Sequence, residues 1–293
     1  MQEELLHIFP LHLRETLQKV TMKENTLEEI RIRIGQPVIF HMENEEWYLK
    51  KETGRLERSQ VNAYCATKED IKSMVKFISS YSLYAYEDEM KRGFITMQGG
   101  HRIGVAGQVV MDGGKGLSLS NIYFLNIRVA REKRGCAKDI IPYLIHRNNI
   151  YNTLFVSPPG IGKTTYLRDA IRILSNGSDR LHGMKISIID ERSEIAACRQ
   201  GIPQNDIGIR SDVLDGCLKS FGMLLMLRSM APQIIAVDEI GSREDCRAME
   251  QAIYSGSRII GTVHAYDMKE LSRKKYLKEM LEQQMFGRIV LLE

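Results

Sequence analysis

The sequence lacks the features that define several protein classes. No apolar run approaches the roughly 18–20 residues of a membrane-spanning helix, since the longest, Phe221–Leu227, is followed by Arg228. There is no CxxC pair and no cysteine with a histidine at ligand spacing among Cys65, Cys136, Cys198, Cys217 and Cys246. We therefore expect no disulfide framework, no zinc site and a reducing compartment.

A strong charge of either sign is also missing. The chain has 41 basic and 37 acidic residues, a net charge of +4, and the halves on either side of Arg134 share it equally. Bulk charge therefore gives no argument for nucleic-acid binding and none against it. The acidic start, Met-Gln-Glu-Glu, is unlike a signal peptide, so we expect a cytoplasmic protein. Apolar residues at 43% and charged residues at 27% are typical of a globular chain.

The first half of the sequence predicts short elements of mixed type. Isoleucine and arginine alternate from Ile30 to Ile34, which predicts a strand with one apolar and one basic face. We interpret residues 1–134 as a smaller α+β domain. Its predicted elements are helix Leu11–Val20, a strand–turn–strand over Leu27–Phe40, strand Glu46–Lys50, a helix capped by Thr67–Asp70, the glycine-rich β segment Gly93–Val110 with a turn at Gly99-Gly100, a turn at Asp112–Gly114 and strand Asn126–Val129.

The second half predicts strands that alternate with longer helices, the pattern of a mostly parallel sheet with crossover helices. We place this α/β domain at residues 135–293. Its predicted elements are strand Asn152–Ser157, helix Thr164–Leu174, strand Lys185–Ile189, a loop to about Asp215, helix Gly216–Met230, strand Ile234–Val237, helix Glu244–Tyr254, strand Arg258–Val263, helix Lys269–Gln284 and strand Arg288–Leu292.

A glycine-rich segment joins the first strand and helix of this α/β domain. Such a loop wraps backbone N–H groups around phosphate and aims the positive end of the helix at it. Its lysine can reach the β- and γ-phosphates, and its first threonine can ligate Mg²⁺. Ser157 stands where the usual pattern has its first glycine. The predicted nucleotide-binding residues are Pro159, Gly160, Ile161, Gly162, Lys163, Thr164 and Thr165.

A second signal is an apolar strand that ends in two carboxylates. Ile234–Val237 runs into Asp238 and Glu239, about 75 residues after Lys163. Asp238 is predicted to hold Mg²⁺ with Thr164, and Glu239 to act as the general base on the attacking water. Such strand ends are also common surface features, so the motif depends on its place in the same domain.

Two more strand ends in the second half carry polar residues. Asp190, Glu191 and Glu194 follow one strand, and His264 follows another. In an open parallel sheet, ligands bind beyond the carboxyl ends of the strands, so Glu191, Glu194 and His264 are candidate catalytic residues, with His264 sensing the γ-phosphate. The alternatives are a solvated strand end and a structural histidine.

These motifs resemble those of RecA/AAA-type ATPases, which have a glutamate base and a strand between the phosphate loop and the Asp-Glu strand. No NKxD guanine-reading motif follows the loop. Such ATPases usually complete the site with an arginine from another domain or subunit. We favour Arg102 because a glycine-rich hairpin surrounds it. The other candidates are Arg31, Arg33, Arg192, Arg210 and Arg228.

Taken together, the motifs resemble the stage III sporulation protein AA family over nearly the whole chain. The segments that carry the resemblance are Glu28–Pro37, Gly99–Gly107, Ser157–Thr165, Asp190–Ala196, Asp206–Asp215, Arg228–Pro232 and Val237–Gly241.

That family is similar to type II and type IV secretion and pilus ATPases. The resemblance implies a RecA-like P-loop domain behind the α+β domain, an acidic box at Glu191 and Glu194, a histidine box at Thr262–His264, and a hexameric ring in which Arg102 reaches the nucleotide. It also implies a Mg²⁺-ATP-driven motor of the channel between mother cell and forespore. The protein would lie on the cytoplasmic, mother-cell side, held at the membrane by membrane proteins of the complex. The cysteine-based zinc motif of the relatives is not seen, and a short C-terminal piece is expected to be absent.

Two alternatives stay open. RecA-like cores also serve nucleic-acid-stimulated ATPases, although balanced charge gives no reason to expect a nucleic-acid partner. A scaffold that binds ATP only to assemble is the other, and the intact Asp238-Glu239 pair argues against it.

Overall fold

The computed structural model describes residues 2–20, 26–79, 89, 93–111, 117–147, 149–178 and 181–293. The predicted turn at Asp112–Gly114 lies outside this range. The chain divides into two compact units, an N-terminal unit, Met1–Arg131, and a C-terminal unit, Glu132–Glu293. The division into domains at residues 1–134 and 135–293 stays a prediction.

In the N-terminal unit, short helices accompany an antiparallel sheet. The described elements are α1 (Glu3–Leu6), α2 (Leu11–Gln18), β1 (Leu27–Arg33), β2 (Ile39–Met42), β3 (Glu45–Leu49), β4 (Leu56–Glu57), α3 (Lys68–Ile78), β5 (Phe94–Thr96), β6 (Arg102–Met111) and β7 (Leu117–Arg128). The strand order of the sheet is β4-β3-β2-β1-β7-β6-β5. A 3₁₀ turn at Gln98–Gly100 links β5 to β6, at the predicted hairpin turn.

Alternation along β1 decides how this sheet packs. Ile30 and Ile32 are buried in a core that also takes side chains from α1, α2 and α3, because successive side chains of a strand point to opposite faces. Arg31 and Arg33 therefore point away from that core. The predicted capping box is confirmed, since the Thr67 hydroxyl accepts the Asp70 N–H at 3.1 Å and starts α3.

The C-terminal unit is built on a sheet of six parallel strands. The described elements are α4 (Ile141–Leu144), β8 (Ile145–His146), β9 (Asn149–Ile150), β10 (Thr153–Ser157), α5 (Lys163–Asn176), β11 (Ile186–Asp190), β12 (Ser211–Asp215), α6 (Lys219–Ser229), β13 (Ile234–Val237), α7 (Arg243–Tyr254), β14 (Arg258–His264), α8 (Met268–Ser272), α9 (Lys278–Glu282) and β15 (Arg288–Leu291). The strand order of the six-stranded sheet is β12-β11-β13-β14-β10-β15.

The four central strands of this sheet are buried on both faces. Side chains of β10 and β13 contribute to two separate apolar clusters, one on each face of the sheet. This explains their continuous apolar sequence, typical of parallel strands covered by helices. β14 lies between β10 and β13, so a strand separates the loop after β10 from the carboxylates after β13. In the described parts of the chain, no helix has the length and apolar character needed to cross a bilayer.

Two predicted elements of this unit are wrong. The predicted helix Lys269–Gln284 is two short helices, α8 and α9, because the fully buried Leu271 and Leu277 would lie about 120° apart around one continuous helix. Turns between them let both leucines face the core. The predicted loop before Asp215 ends in the edge strand β12. Its acidic, weakly apolar sequence hides the strand, which is specified by pairing with β11.

Candidate functional site

The predicted phosphate-binding loop connects the buried end of β10 to the first residue of α5. Gly160 has φ 85° and Gly162 has φ 102°, backbone conformations in which a residue with a Cβ is strained. These two glycines let the chain turn sharply between Ser157 and Lys163. The loop therefore has the strand–loop–helix geometry that the sequence predicted, with the N-terminus of a 14-residue helix at its end.

Lys163 is only 5% exposed and its ammonium group is held against the loop. Its Nζ donates to the carbonyl oxygens of Ser157 at 3.0 Å and Pro158 at 2.8 Å. Burial lowers the pKa of Lys163, and the negative charges of Asp238 and Glu239 oppose this shift. The loop thus places a cation beside the two carboxylates that follow β13.

The Asp238 carboxylate accepts hydrogen bonds from two threonine hydroxyls. The Thr164 hydroxyl donates to its Oδ2 at 2.5 Å, and the Thr262 hydroxyl donates to its Oδ1. Burial raises the pKa of Asp238, against the lowering effect of these two hydrogen bonds. A hydroxyl and a carboxylate in contact are hard oxygen donors of the kind that Mg²⁺ prefers, so Thr164 and Asp238 fit a magnesium ion.

Glu239 has an unusual backbone and a fully engaged carboxylate. Its φ is 50°, and its N–H donates to Thr262 Oγ1 at 2.8 Å. His264 Nε2 lies 3.0 Å from Glu239 Oε1, and Arg192 Nη1 lies 2.5 Å from Oε2. Burial would raise the pKa of Glu239, but the hydrogen bond from His264 and the charge of Arg192 outweigh it and lower the pKa. The carboxylate is therefore ionised at neutral pH, as a proton acceptor must be.

The loop after β11 is organised by Asp190, which is 1% exposed. Its carboxylate accepts the backbone N–H groups of Glu194 at 2.7 Å, Ile195 at 3.0 Å and Ala196 at 2.8 Å. Burial nevertheless raises the pKa of Asp190 to about 6. The buried carboxyl group of Asp190 thus fixes the backbone of the loop that follows β11.

The two acidic candidates on this loop have different surroundings. Glu191 forms an ion pair with Lys219 at the start of α6. The charge of Glu194 contributes to the raised pKa of Asp238. The structure thus brings this loop to the same sheet edge as the loop after β10.

The candidate arginines are dispersed. Arg102 begins β6 in the N-terminal unit, with its guanidinium carbon 4.6 Å from the centre of the Phe94 ring. Arg210 donates to the carbonyl oxygens of Ser175 and Asn176 at the end of α5, a structural role. Arg192 contacts Glu239 directly.

Sequence reasoning missed three contacts of the site. The histidine box at Thr262–His264 predicts no hydrogen bond from Thr262 to Asp238, although the period of a strand places residues 262 and 264 on one side of β14. No signal in the sequence links Lys219 to Glu191, or Arg192 to Glu239, because these pairs meet only through the fold.

The comparisons with known proteins agree with this geometry. The family model for sporulation stage III, protein AA matches residues 1–293. The chain is 38% identical over 286 residues to stage III sporulation protein AA of Bacillus subtilis strain 168, which covers 97% of this chain and 89% of that protein.

Solved structures show a related fold. The ATPase DotB of Legionella pneumophila has a TM-score of 0.53 and 17% identity, over 93% of this chain and 69% of that one. The pilus retraction motor PilT, solved with bound ADP, has a TM-score of 0.54 and 14% identity, over 90% of this chain and 68% of that one. The predicted fold class, a RecA-like P-loop domain behind a smaller α+β domain, is confirmed. Matched from its first residue to its last, the chain belongs to the sporulation stage III, protein AA family.

Proposed function

We propose that this protein is a Mg²⁺-dependent ATPase. The observation that carries the proposal is the contact between Thr164 of the glycine-rich loop and Asp238 after β13, at 2.5 Å. It joins the two segments that bind phosphate and metal in P-loop ATPases. The ionised Glu239 beside it supplies a base, and DotB and PilT are named as an ATPase and a motor.

Each side chain then has a role in hydrolysis. Residues Pro159–Thr165 bind the phosphates of ATP, with Lys163 offsetting their negative charge. Thr164 and Asp238 hold Mg²⁺, which when bound neutralises charge on the phosphates. Glu239 accepts a proton from the attacking water, and His264 orients its carboxylate through the hydrogen bond at 3.0 Å.

Residues around this centre complete the proposal. His264 also senses the γ-phosphate, since it lies beside Ser157 of the loop in the register of β14 and β10. Glu191 and Glu194 form the acidic side of the site. Arg102 acts in the site of a neighbouring copy, so that hydrolysis depends on a homo-oligomer, proposed as a hexameric ring.

Family membership supports the biological assignment. The protein is proposed as the motor of a secretion-like channel between mother cell and forespore during endospore formation. It works in the mother-cell cytoplasm and associates with the membrane through membrane proteins of that channel. Hydrolysis moves its two units relative to each other.

The Glu239→Gln variant tests the proposal. The amide cannot accept the proton, so phosphate release is expected to fall by about 10²–10⁴-fold, while ATP binding changes little because the loop is intact. Glu244→Gln, an exposed position in the first turn of α7, is the matched control. Normal phosphate release by Glu239→Gln would refute the assignment of the base.

One observation favours a second candidate, a nucleic-acid-stimulated ATPase. The face of the N-terminal sheet that points away from its core carries several arginines and an exposed aromatic ring. The arginines are Arg31, Arg33, Arg102 and Arg128, and the ring is that of Phe124. Arginines around an aromatic ring suit single strands. Binding to single strands that weakens steeply with salt and accelerates hydrolysis would favour this candidate; hydrolysis unchanged by single strands would exclude it.

A further inference from the structure

The carboxylate of Glu239 is held from two sides by two different elements. His264, at the end of β14, contacts Oε1 at 3.0 Å, and Arg192, in the loop after β11, contacts Oε2 at 2.5 Å. One contact at each oxygen fixes the plane of the carboxylate as well as its position. His264 alone would leave the group free to rotate about its last bond.

The backbone below this carboxylate is also fixed. Glu239 adopts φ 50°, which a non-glycine residue rarely occupies. Its N–H lies 2.8 Å from Thr262 Oγ1 and 3.1 Å from Asp238 Oδ1. Strained conformations of this kind persist where the surrounding structure enforces them. The remaining freedom of Glu239 is therefore in its side chain, where Arg192 acts.

The loop that delivers Arg192 is anchored on both sides of it. Glu191 pairs with Lys219, and the Ser193 hydroxyl donates to Asp215 Oδ1 at 2.6 Å. Asp190 holds the backbone N–H groups that follow. A guanidinium on a fixed loop is preorganised to orient a partner.

Stability does not account for this ion pair. The Arg192 side chain is 65% exposed, and pairs this open to solvent typically contribute about 0–1 kcal/mol. Beside a base whose orientation decides the rate, the same contact has a larger effect, because small misplacements slow a reaction strongly.

We propose that Arg192 is a positioning residue that orients the Glu239 carboxylate for proton abstraction from water. This inference rests on the proposed ATPase function and deepens it. It differs from an arginine finger, because Arg192 acts through Glu239 and in its own chain. Loss of Arg192 should therefore lower kcat while KM, which reports the intact loop at Gly160–Thr165, stays nearly constant.

The test compares wild type with Arg192→Ala, Arg192→Lys and the control Arg243→Ala, whose exposed side chain is 3.9 Å from Glu279. We expect a kcat about 10-fold lower in Arg192→Ala, with KM within about two-fold and thermal unfolding nearly unchanged. Arg192→Lys should recover only part of kcat, since lysine keeps the positive charge but replaces the planar fork with a freely rotating ammonium group. Arg243→Ala should behave as wild type.

A second readout uses the free protein. His264 shares Glu239 with Arg192, so its imidazole resonances, assigned with His264→Gln, should shift in Arg192→Ala and stay in place in Arg243→Ala. Unchanged kcat and unchanged His264 resonances in Arg192→Ala would overturn the inference while leaving the ATPase assignment intact. No ATP hydrolysis by the wild type would overturn both.

Discussion

The two units use their sheets in opposite ways. The central strands of the C-terminal sheet are buried on both faces, so polar side chains collect where strands end, at Asp190, Asp238 and His264. The antiparallel N-terminal sheet buries one face and carries arginines on the other. A parallel sheet thus concentrates unlike groups at one edge, where they can interact, whereas the open antiparallel face spreads charged side chains over a surface.

At this edge of the C-terminal sheet, two adjacent carboxyl groups have pKa values that are shifted in opposite directions. Asp238 is buried among hydroxyls and has a raised pKa, while Glu239, one residue later, is paired with a histidine and an arginine and has a lowered pKa. Adjacent acids with separated pKa values are typical of catalytic sites. In this account the C-terminal unit holds the chemistry, and the N-terminal unit supplies positive charge.

Among the substitutions that compare the two units, the largest effect is expected from Lys163→Ala, which removes the loop cation in contact with both Ser157 and Pro158. Turnover should fall by about 10²–10³-fold, because charge on the phosphates is no longer offset. Phosphate release at saturating ATP measures it, with the exposed Lys138→Ala of the same unit as control. Turnover near that of wild type would contradict the role of the C-terminal unit.

The Arg102→Ala variant tests the contribution of the N-terminal unit. We expect turnover about 10–10²-fold lower with unchanged ATP binding, since the lost charge acts on the transition state. Arg58→Ala, an exposed arginine paired with Glu45 in the same unit, should have no effect. Mixing Arg102→Ala with Lys163→Ala should restore part of the activity, because each chain supplies what the other lacks; no recovery would place Arg102 outside a neighbour's site.

Asp190→Asn should lower the free energy of unfolding by about 2 kcal/mol, because an amide nitrogen replaces an oxygen that accepts backbone N–H groups. The pKa of Asp190 is raised to about 6, above its unfolded value near 4. The stability that this carboxyl contributes is therefore full below pH 4 and is lost as the pH rises through 6. Urea unfolding should show a larger deficit of the variant at pH 5 than at pH 7.5; an equal deficit would contradict the raised pKa.

The smallest effect comes from matched helix caps. Thr67 in the N-terminal unit and Ser242 in the C-terminal unit both form capping boxes. Replacing either with alanine should cost about 1 kcal/mol. In calorimetry, each variant should shift only the transition of its own unit. A single transition, shifted alike by both variants, would show that the units unfold together.

The sequence predicted the motifs of the C-terminal unit because each is local. An apolar strand followed by two glycines and a lysine predicts the phosphate-binding loop at Gly160–Lys163. A second apolar run that ends in a carboxylate predicts the role of Asp238. Strand β12 and the break between α8 and α9 could not be predicted, since pairing with β11 decides the first and the burial of both Leu271 and Leu277 decides the second. The contact of Arg192 with Glu239 is also a product of the fold, because the two residues lie 47 positions apart.

We propose that hydrolysis occurs at sites completed between copies of the chain. The decisive measurement is phosphate release per chain as a function of protein concentration, for wild type and Glu239→Gln in parallel. We expect specific activity to rise with concentration in the wild type and to be lost in the variant at every concentration. A wild-type specific activity that is independent of concentration would show that each chain carries a whole site, and would refute completion of the site by a neighbouring copy.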